Sequence, residues 1–185
     1  MNQNLIQRLQ AALPLACAWI DEYLARHEPV SRPVASLGMQ RLAACYPEPL
    51  LRTARVVTVE RVEFPPVERF GLPEFAAIQQ QNFGGITFKN TFFVSSAEAR
   101  SESLHFHEMV HVVQWERLGV ERFLLAYGIG LAQFGYEGSP LEHMAYDLQF
   151  EFDKGINRPQ LLPYINTQTD VIWATAAPLI SNAPI

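Results

Sequence analysis

The chain has few cysteines and few charged residues, and both shortages narrow its possible functions. Cys17 and Cys45 are the only two cysteines among 185 residues, so at most one disulfide can form. They lack the Cys-x-x-Cys spacing of a structural zinc site, and half-buried free thiols are the expected form. Charged residues make up 18% of the chain and the net charge is -5. No segment therefore supplies the basic face that a nucleic acid partner requires.

Long apolar runs are also missing, which argues against a membrane span. Residues 123–134 are apolar, but charged residues flank this stretch and it is shorter than the roughly 20 residues that a span requires. Residues 11–20 are interrupted by Pro14, and the apolar residues around them recur every three to four positions. This spacing predicts an amphipathic helix that packs in the core rather than a signal peptide. We therefore expect a cytoplasmic protein.

Composition and element order predict one domain of the α+β class over residues 1–185. An apolar fraction of 49% is ample for one hydrophobic core in a chain of this length. Residues 1–80 are predicted to form a helical N-terminal region with one strand, and residues 84–154 a core that holds a metal site. The predicted elements are helices near 5–27, 34–45, 95–118, 120–134 and 140–154, and strands near 55–62, 85–89 and 91–94.

The helix predicted near 95–118 carries the most informative motif, His107-Glu108-x-x-His111. Its start is predicted from the capping-box spacing of Ser95 and Glu98, and its end from Gly119. Histidines four residues apart lie on one side of a helix, where their nitrogens can bind one zinc ion about 2.0–2.1 Å away. The alternative is a buried histidine pair satisfied by ordinary hydrogen bonds.

Glu108 stands beside the predicted metal position and suits the role of general base. It can take a proton from a zinc-bound water whose pKa the metal lowers to about 7. The motif therefore predicts zinc-dependent hydrolysis with one Zn2+ per chain. A small β-sheet preceding this helix gives a mainly helical α+β fold, and residues 85–89 are a candidate edge for a substrate backbone.

A catalytic zinc site needs a third protein ligand and an open position. The metzincin pattern would place Gly and His where this chain has Gln114 and Arg117. Glu116 lies on the opposite side of the helix from the two histidines. The third ligand must therefore come from a later element, and the candidates are Glu121, Glu137, Glu142 and His143.

Glu142 and Ala145 form a Glu-x-x-Ala pattern, and here the sequence resembles a gluzincin. In that family a Glu on a second helix completes a His, His, Glu site, which implies Glu142 as the third ligand and a zincin-like fold. The run from His107 through Gln114-Trp115 to Tyr136 and Glu142 is similar to small bacterial metallopeptidases of the HExxHxxQ kind. This resemblance covers residues 84–150.

Two features of this region leave alternatives open. Ser139 and Glu142 have capping-box spacing, so Glu142 has a possible second role as a helix cap. Tyr146 stands where thermolysin-like gluzincins carry an Asp that supports a metal histidine, so the residues around the metal are expected to differ from that pattern. Gln114 lies one turn beyond His111 and is a candidate to orient a ligand, whereas His105 is not expected to be one.

Hydrolysis also needs a donor for the negative charge that develops on the substrate oxygen. The candidates are Tyr127, Tyr136, Tyr146 and His143, of which we select Tyr136. The prediction is thus a zinc metallopeptidase whose substrate is a peptide or protein. The alternative is a non-catalytic, zinc-stabilised interaction or structural module, and a third hypothesis is a helical binding protein without metal.

Overall fold

A computed structural model describes residues 3–181 and confirms the α+β class, with helices dominating. The strands are β1 (Arg32–Pro33), β2 (Arg55–Val59), β3 (Gly85–Phe88) and β4 (Thr91–Ser95). The helices are α1 (Gln3–His27), α2 (Gln40–Cys45), α3 (Glu48–Thr53), α4 (Ala76–Gln79), α5 (Glu102–Gly138), α6 (Pro140–Asp153) and α7 (Leu161–Ser181). As predicted, the strands precede the helix that carries the motif.

The strands form one mixed sheet in the order β1-β2-β4-β3. β2 and β4 are parallel, whereas β3 and β4 form an antiparallel hairpin through the predicted turn, in which Lys89 has a φ of 57°. β4 is fully buried at Phe92, Phe93 and Val94. β3 lies at the edge of the sheet and packs against α5, which carries the histidines.

The motif helix begins later than the capping box predicted. Ser95 is still part of β4, where it pairs with Val59 and donates its backbone N–H to the Gly84 carbonyl, so it cannot cap a helix. The cap is Ser101, whose side chain accepts a hydrogen bond from the Leu104 N–H at 3.2 Å. The predicted end at Gly119 is confirmed, because α5 is kinked there by a non-helical φ of 72° and ψ of 173°.

Two other helix predictions need correction. Residues 34–45 do not form one helix: a 3-10 turn over Val34–Leu37 is separated from α2 by Gly38, whose φ is 69°. Residues after 154 were not predicted to be helical, yet α7 packs against α5 and α6. Its buried residues Leu161, Ile165, Thr169 and Ala176 follow helical spacing, so the sequence carried the signal.

The N-terminal helix is part of the core, as its spacing predicted. Ile6, Leu9, Ala12, Ile20 and Tyr23 are buried, and α1 packs against α5. In the part of the chain that the structure describes, no helix is long and apolar enough to cross a membrane.

Candidate metal centre

Three side chains from two helices meet in the interior. His107 and His111 lie one turn apart on α5, and Glu142 reaches them from the first turn of α6. The two Nε2 atoms are 3.1 Å apart, and Glu142 Oε2 is 3.3 Å from His107 Nε2 and 3.4 Å from His111 Nε2. All three residues are only 3–4% exposed. The predicted three-residue cluster is therefore assembled by the fold.

Two glutamine side chains set the orientation of the imidazoles. The Gln114 amide donates to the Leu141 carbonyl at 3.0 Å, which turns its Oε1 toward His111 Nδ1 at 2.8 Å. The Gln149 amide donates to Ser103 Oγ at 2.9 Å, and its Oε1 faces His107 Nδ1 at 3.0 Å. Since amide oxygens only accept, both histidines carry their proton on Nδ1. Both Nε2 atoms are therefore turned toward the centre, where a metal ion can replace any proton that they carry.

Glu142 is held in place by its other carboxylate oxygen. Tyr127 donates its hydroxyl to Glu142 Oε1 at 2.6 Å. Glu142 Oε2 is buried and faces the two imidazole Nε2 atoms, at 3.3 and 3.4 Å. The alternative role as a helix cap is excluded, because Ser139 makes no side-chain cap bond and Glu142 turns inward.

The three atoms match the shape of a metal site. Ligand atoms at the corners of a tetrahedron about 2.0–2.1 Å from a zinc ion lie about 3.3–3.4 Å apart. The observed separations of 3.1, 3.3 and 3.4 Å come close to this triangle. Two imidazole nitrogens and a carboxylate oxygen converge here, and all three become acceptors once the imidazoles have lost any proton on Nε2. The group could thus hold a metal ion.

The charges of the metal-free cluster also favour a bound positive charge. Burial raises the pKa of Glu142, but the two imidazoles outweigh it and hold the pKa well below its ordinary value. Burial lowers the pKa of His111, yet the Glu142 carboxylate outweighs it and raises the pKa to about 9. The negative charge of Glu142 therefore attracts a positive charge into this interior position, whether a proton or a metal ion.

Glu108 lies beside the cluster and contacts the edge strand. Thr87 of β3 donates its hydroxyl to Glu108 Oε2 at 2.6 Å. On the other side of the carboxylate is Gly85, where an added Cβ would overlap Glu108 Oε1. Burial raises the pKa of Glu108, and the neighbouring histidines and the Thr87 hydrogen bond offset part of that rise. Glu108 is thus fixed between the strand and the metal ligands.

The three candidate tyrosines occupy different positions around the centre. Tyr127 is occupied by its bond to Glu142. Tyr136, our predicted donor, lines the cavity beside Glu108 and Glu142 and packs on Phe83 with ring centroids 5.1 Å apart. Tyr146 packs on the His107 ring at 4.6 Å and is 41% exposed. Burial, the Glu142 charge and a hydrogen bond to Tyr146 raise the pKa of Tyr136, so its hydroxyl stays protonated.

The remaining candidate ligands lie elsewhere. His143 is exposed and pairs with Asp147 at 3.0 Å, so it is neither a ligand nor a donor at the site. Glu121 and Glu137 are exposed and outside the cluster. His105 lies outside the cluster, and its Nδ1 contacts the Ser101 carbonyl at 2.8 Å.

A cavity of about 130 Å³ adjoins the centre. His107, His111, Glu108 and Glu142 line its polar end. Apolar residues of α1, of the 64–83 segment, of β3 and of α5 line the rest. A small molecule in this space would therefore contact the metal ligands and the apolar wall together.

Sequence reasoning missed Gln149 as a site residue, and it placed Gly85 and Thr87 on a substrate edge without their contacts to Glu108. Gln149 follows Glu142 by seven residues, a spacing that places both on one side of α6, so helical periodicity could have found it. Thr87 and Gly85 approach Glu108 only because β3 packs on α5. No sequence pattern within β3 or α5 alone predicts that contact.

Comparison with protein-family models, with curated proteins and with solved structures found no significant match to this chain.

Proposed function

We propose that this protein is a zinc-dependent hydrolase that cleaves amide bonds of peptide substrates. The observation that carries the proposal is the convergence of three acceptor atoms, within 3.1–3.4 Å of one another, beside a buried glutamate that ligates nothing. A purely structural metal site has no use for Glu108 at this position. A carboxylate beside the metal but not bound to it suits the general base of metal-assisted hydrolysis.

Zinc is the proposed metal because of the donor set. Two imidazoles and one carboxylate, with a fourth position left to water or substrate, form the usual ligand set of catalytic zinc. The use of a Glu from a second helix supports a gluzincin-type site. The departure from that pattern lies around His107, whose Nδ1 contacts Gln149 and whose ring packs on Tyr146.

The chain's own residues then have defined tasks. Bound zinc supplies Lewis-acid chemistry, which polarises a carbonyl and makes water more acidic. Glu108 accepts the proton of the attacking water, and burial raises its pKa toward the range in which a carboxylate can also return that proton. Thr87 and Gly85 hold the carboxylate in position. Tyr136 is the proposed donor to the oxyanion, because its protonated hydroxyl lines the same cavity.

The metal site is tested first, by elemental mass spectrometry after dialysis against a weak chelator. We expect about one zinc per chain in the wild type and much less in Glu142→Ala, because losing one of three ligands weakens binding. Glu137→Ala is the matched control, since Glu137 is exposed and outside the cluster. Equal zinc in wild type and Glu142→Ala would exclude this ligand set.

Catalysis is tested separately with Glu108→Gln. This variant should keep its zinc but lose hydrolysis of a random peptide mixture, followed by mass spectrometry, by at least about 100-fold. Retained hydrolysis in Glu108→Gln would refute the general-base role. Zinc binding without hydrolysis by the wild type would favour the non-catalytic module.

A further inference from the structure

The cavity beside the centre is shaped by parts of the chain outside the metal-site region. One wall comes from α1, through Leu9, Leu13 and Ala16, and another from Phe64 and Phe83. Leu9 packs so closely against Gly128 of α5 that an added Cβ there would lie 2.7 Å from Leu9 Cδ2. The α1 wall thus lies directly against the helix that carries the metal ligands.

The lining offers an uncharged, apolar group the best fit. Its polar members are the metal-site residues Thr87, His107, Glu108, His111, Tyr127, Tyr136 and Glu142, and no Lys or Arg of the described residues lines it. Away from the metal position, a substrate carboxylate would meet buried glutamate and apolar side chains and no Lys or Arg, which is unfavourable. A volume of about 130 Å³ is close to that of the roughly 150 Å³ apolar cavities that bind benzene.

The edge strand offers little backbone to an extended substrate. Ser95 donates to Gly84, and residues in an antiparallel pair alternate, so Gly85 and Thr87 turn their backbone groups away from β4. One of these groups is already used, because Trp115 Nε1 donates to the Thr87 carbonyl at 3.1 Å. Strand addition along the four-residue β3 is therefore limited to the outward-facing groups of Gly85 and the Thr87 N–H, and side-chain burial must supply more of the binding.

We propose that the substrate is an amide carrying one large apolar group, the size of a phenylalanine or leucine side chain, which occupies this cavity next to the scissile bond. The inference rests on the proposed hydrolase function and narrows its substrate class. It predicts a short peptide or acyl amide, recognised through one buried group, rather than an extended polypeptide.

The test measures ligand binding to the zinc-loaded full chain by calorimetry. Three hydroxamates share one metal-binding group: acetohydroxamate, 3-phenylpropionohydroxamate and 3-carboxypropionohydroxamate. Burying the phenyl group should make the second about 10- to 100-fold tighter than the first. The carboxylate should make the third no tighter than the first.

Variants on α1 locate the binding of the phenyl group. Ala16→Phe fills the cavity and should remove most of the preference for the phenyl compound, with zinc content unchanged. Ala18→Phe is the matched control, because Ala18 is exposed on the same helix. Ala16→Leu fills less of the cavity and should reduce the preference for the phenyl compound only partly. If circular dichroism shows that Ala16→Phe is unfolded, Ala16→Leu takes its place.

The outcomes separate the two proposals. If zinc and acetohydroxamate both bind but the phenyl group does not increase the affinity, the apolar substrate class is overturned and the metal centre is left intact. A gain that survives both Ala16 fillings would place the phenyl group elsewhere and overturn it too. No zinc, or no acetohydroxamate bound to the zinc-loaded chain, would overturn the hydrolase proposal and this inference with it.

Discussion

Gly85 and Glu108 show how single atoms set the position of the proposed base. The Glu108 carboxylate lies against the Gly85 backbone, in space that any other side chain would occupy. Thr87, two residues along the strand and on the same face, holds the second oxygen at 2.6 Å. The missing side chain at Gly85 therefore leaves room for the Glu108 carboxylate, and the Thr87 hydroxyl holds the carboxylate there.

Gly85→Ala is expected to displace Glu108 and lower hydrolysis by about 10- to 100-fold, because small misplacements of a catalytic group are costly. Zinc content should not change, since the three atoms nearest to an added Cβ all belong to Glu108, which is not one of the proposed ligands. The measurement is initial rate beside metal content. Gly84→Ala is the matched control, because its added Cβ meets only flexible side-chain atoms, at 3.3 Å or more. Unchanged rates in Gly85→Ala would show that Glu108 is not held by this contact.

Gln149→Leu should weaken zinc binding by about 10- to 100-fold, because it removes the acceptor that orients His107. Gln149→Glu keeps an acceptor oxygen and should retain most of the affinity. Competition with a zinc-binding dye measures both. An equal loss in the two variants would point to disturbed packing of α6 instead of a lost acceptor.

At the scale of residues, spacing alone predicts only part of the centre. His107, Glu108 and His111 follow from one helical turn, so the sequence is enough for them. Glu142 was selected by resemblance, and the structure brings it to the histidines. Thr87 and Gln149 depend on contacts between elements, which no local pattern encodes.

At the scale of elements, Gly119 divides α5 into a half that carries His107 and His111 and a half whose Gly128 packs on α1. Its φ of 72° and ψ of 173° lie in a region that is essentially restricted to glycine. The bend lets residues beyond it return over the centre, where Tyr127 reaches Glu142. The kink is therefore part of how the site is closed.

Gly119→Ala should destabilise the protein by about 1–3 kcal/mol, because alanine is strained in this conformation. Its added methyl group meets no atom within 4 Å, so a loss of stability would come from the backbone and not from a clash. Urea unfolding followed by circular dichroism measures the change. An unchanged midpoint would mean that the kink tolerates a side chain.

The helix start predicted at Ser95 and the helix predicted over residues 34–45 are wrong for a related physical reason. Ser95 has the chemistry of a helix cap, but pairing within β4 takes its backbone into the sheet first. Residues 34–45 have helical composition, but Gly38 adopts a left-handed φ of 69° and divides them. In each case tertiary pairing or a turn overrides the local preference.

At the scale of the whole molecule, the buried centre makes the metal-free fold sensitive to pH. His111 and Glu142 form one interior ion pair, so their shifted pKa values describe the same interaction. The pKa of His111 rises from 6.5 to about 9, so its stabilising effect is complete below pH 6.5 and lost as pH rises through about 9. Glu142, with a lowered pKa, gives stability above its ordinary 4.5 that is lost as pH falls.

The free energy of unfolding of the metal-free protein should therefore fall between about pH 6.5 and pH 9. Urea titrations with a chelator at pH 6.5, 7.5 and 9 measure this slope. His111→Gln removes the titrating group and should flatten it. Zinc should reverse the trend, because metal binding requires unprotonated ligands and strengthens as pH rises. Equal slopes in wild type and His111→Gln would assign the pH dependence to other groups.

The sequence by itself determined the fold class, the motif on its helix and two of the three residues that could hold a metal ion, because helical periodicity and residue chemistry are local. Only the tertiary structure decided that Glu142 faces the histidines, that β3 carries Thr87 and Gly85 to Glu108, and that α1 closes an apolar cavity. These contacts join residues far apart in the chain. They depend on how the helices and the sheet pack, which spacing along one element does not specify.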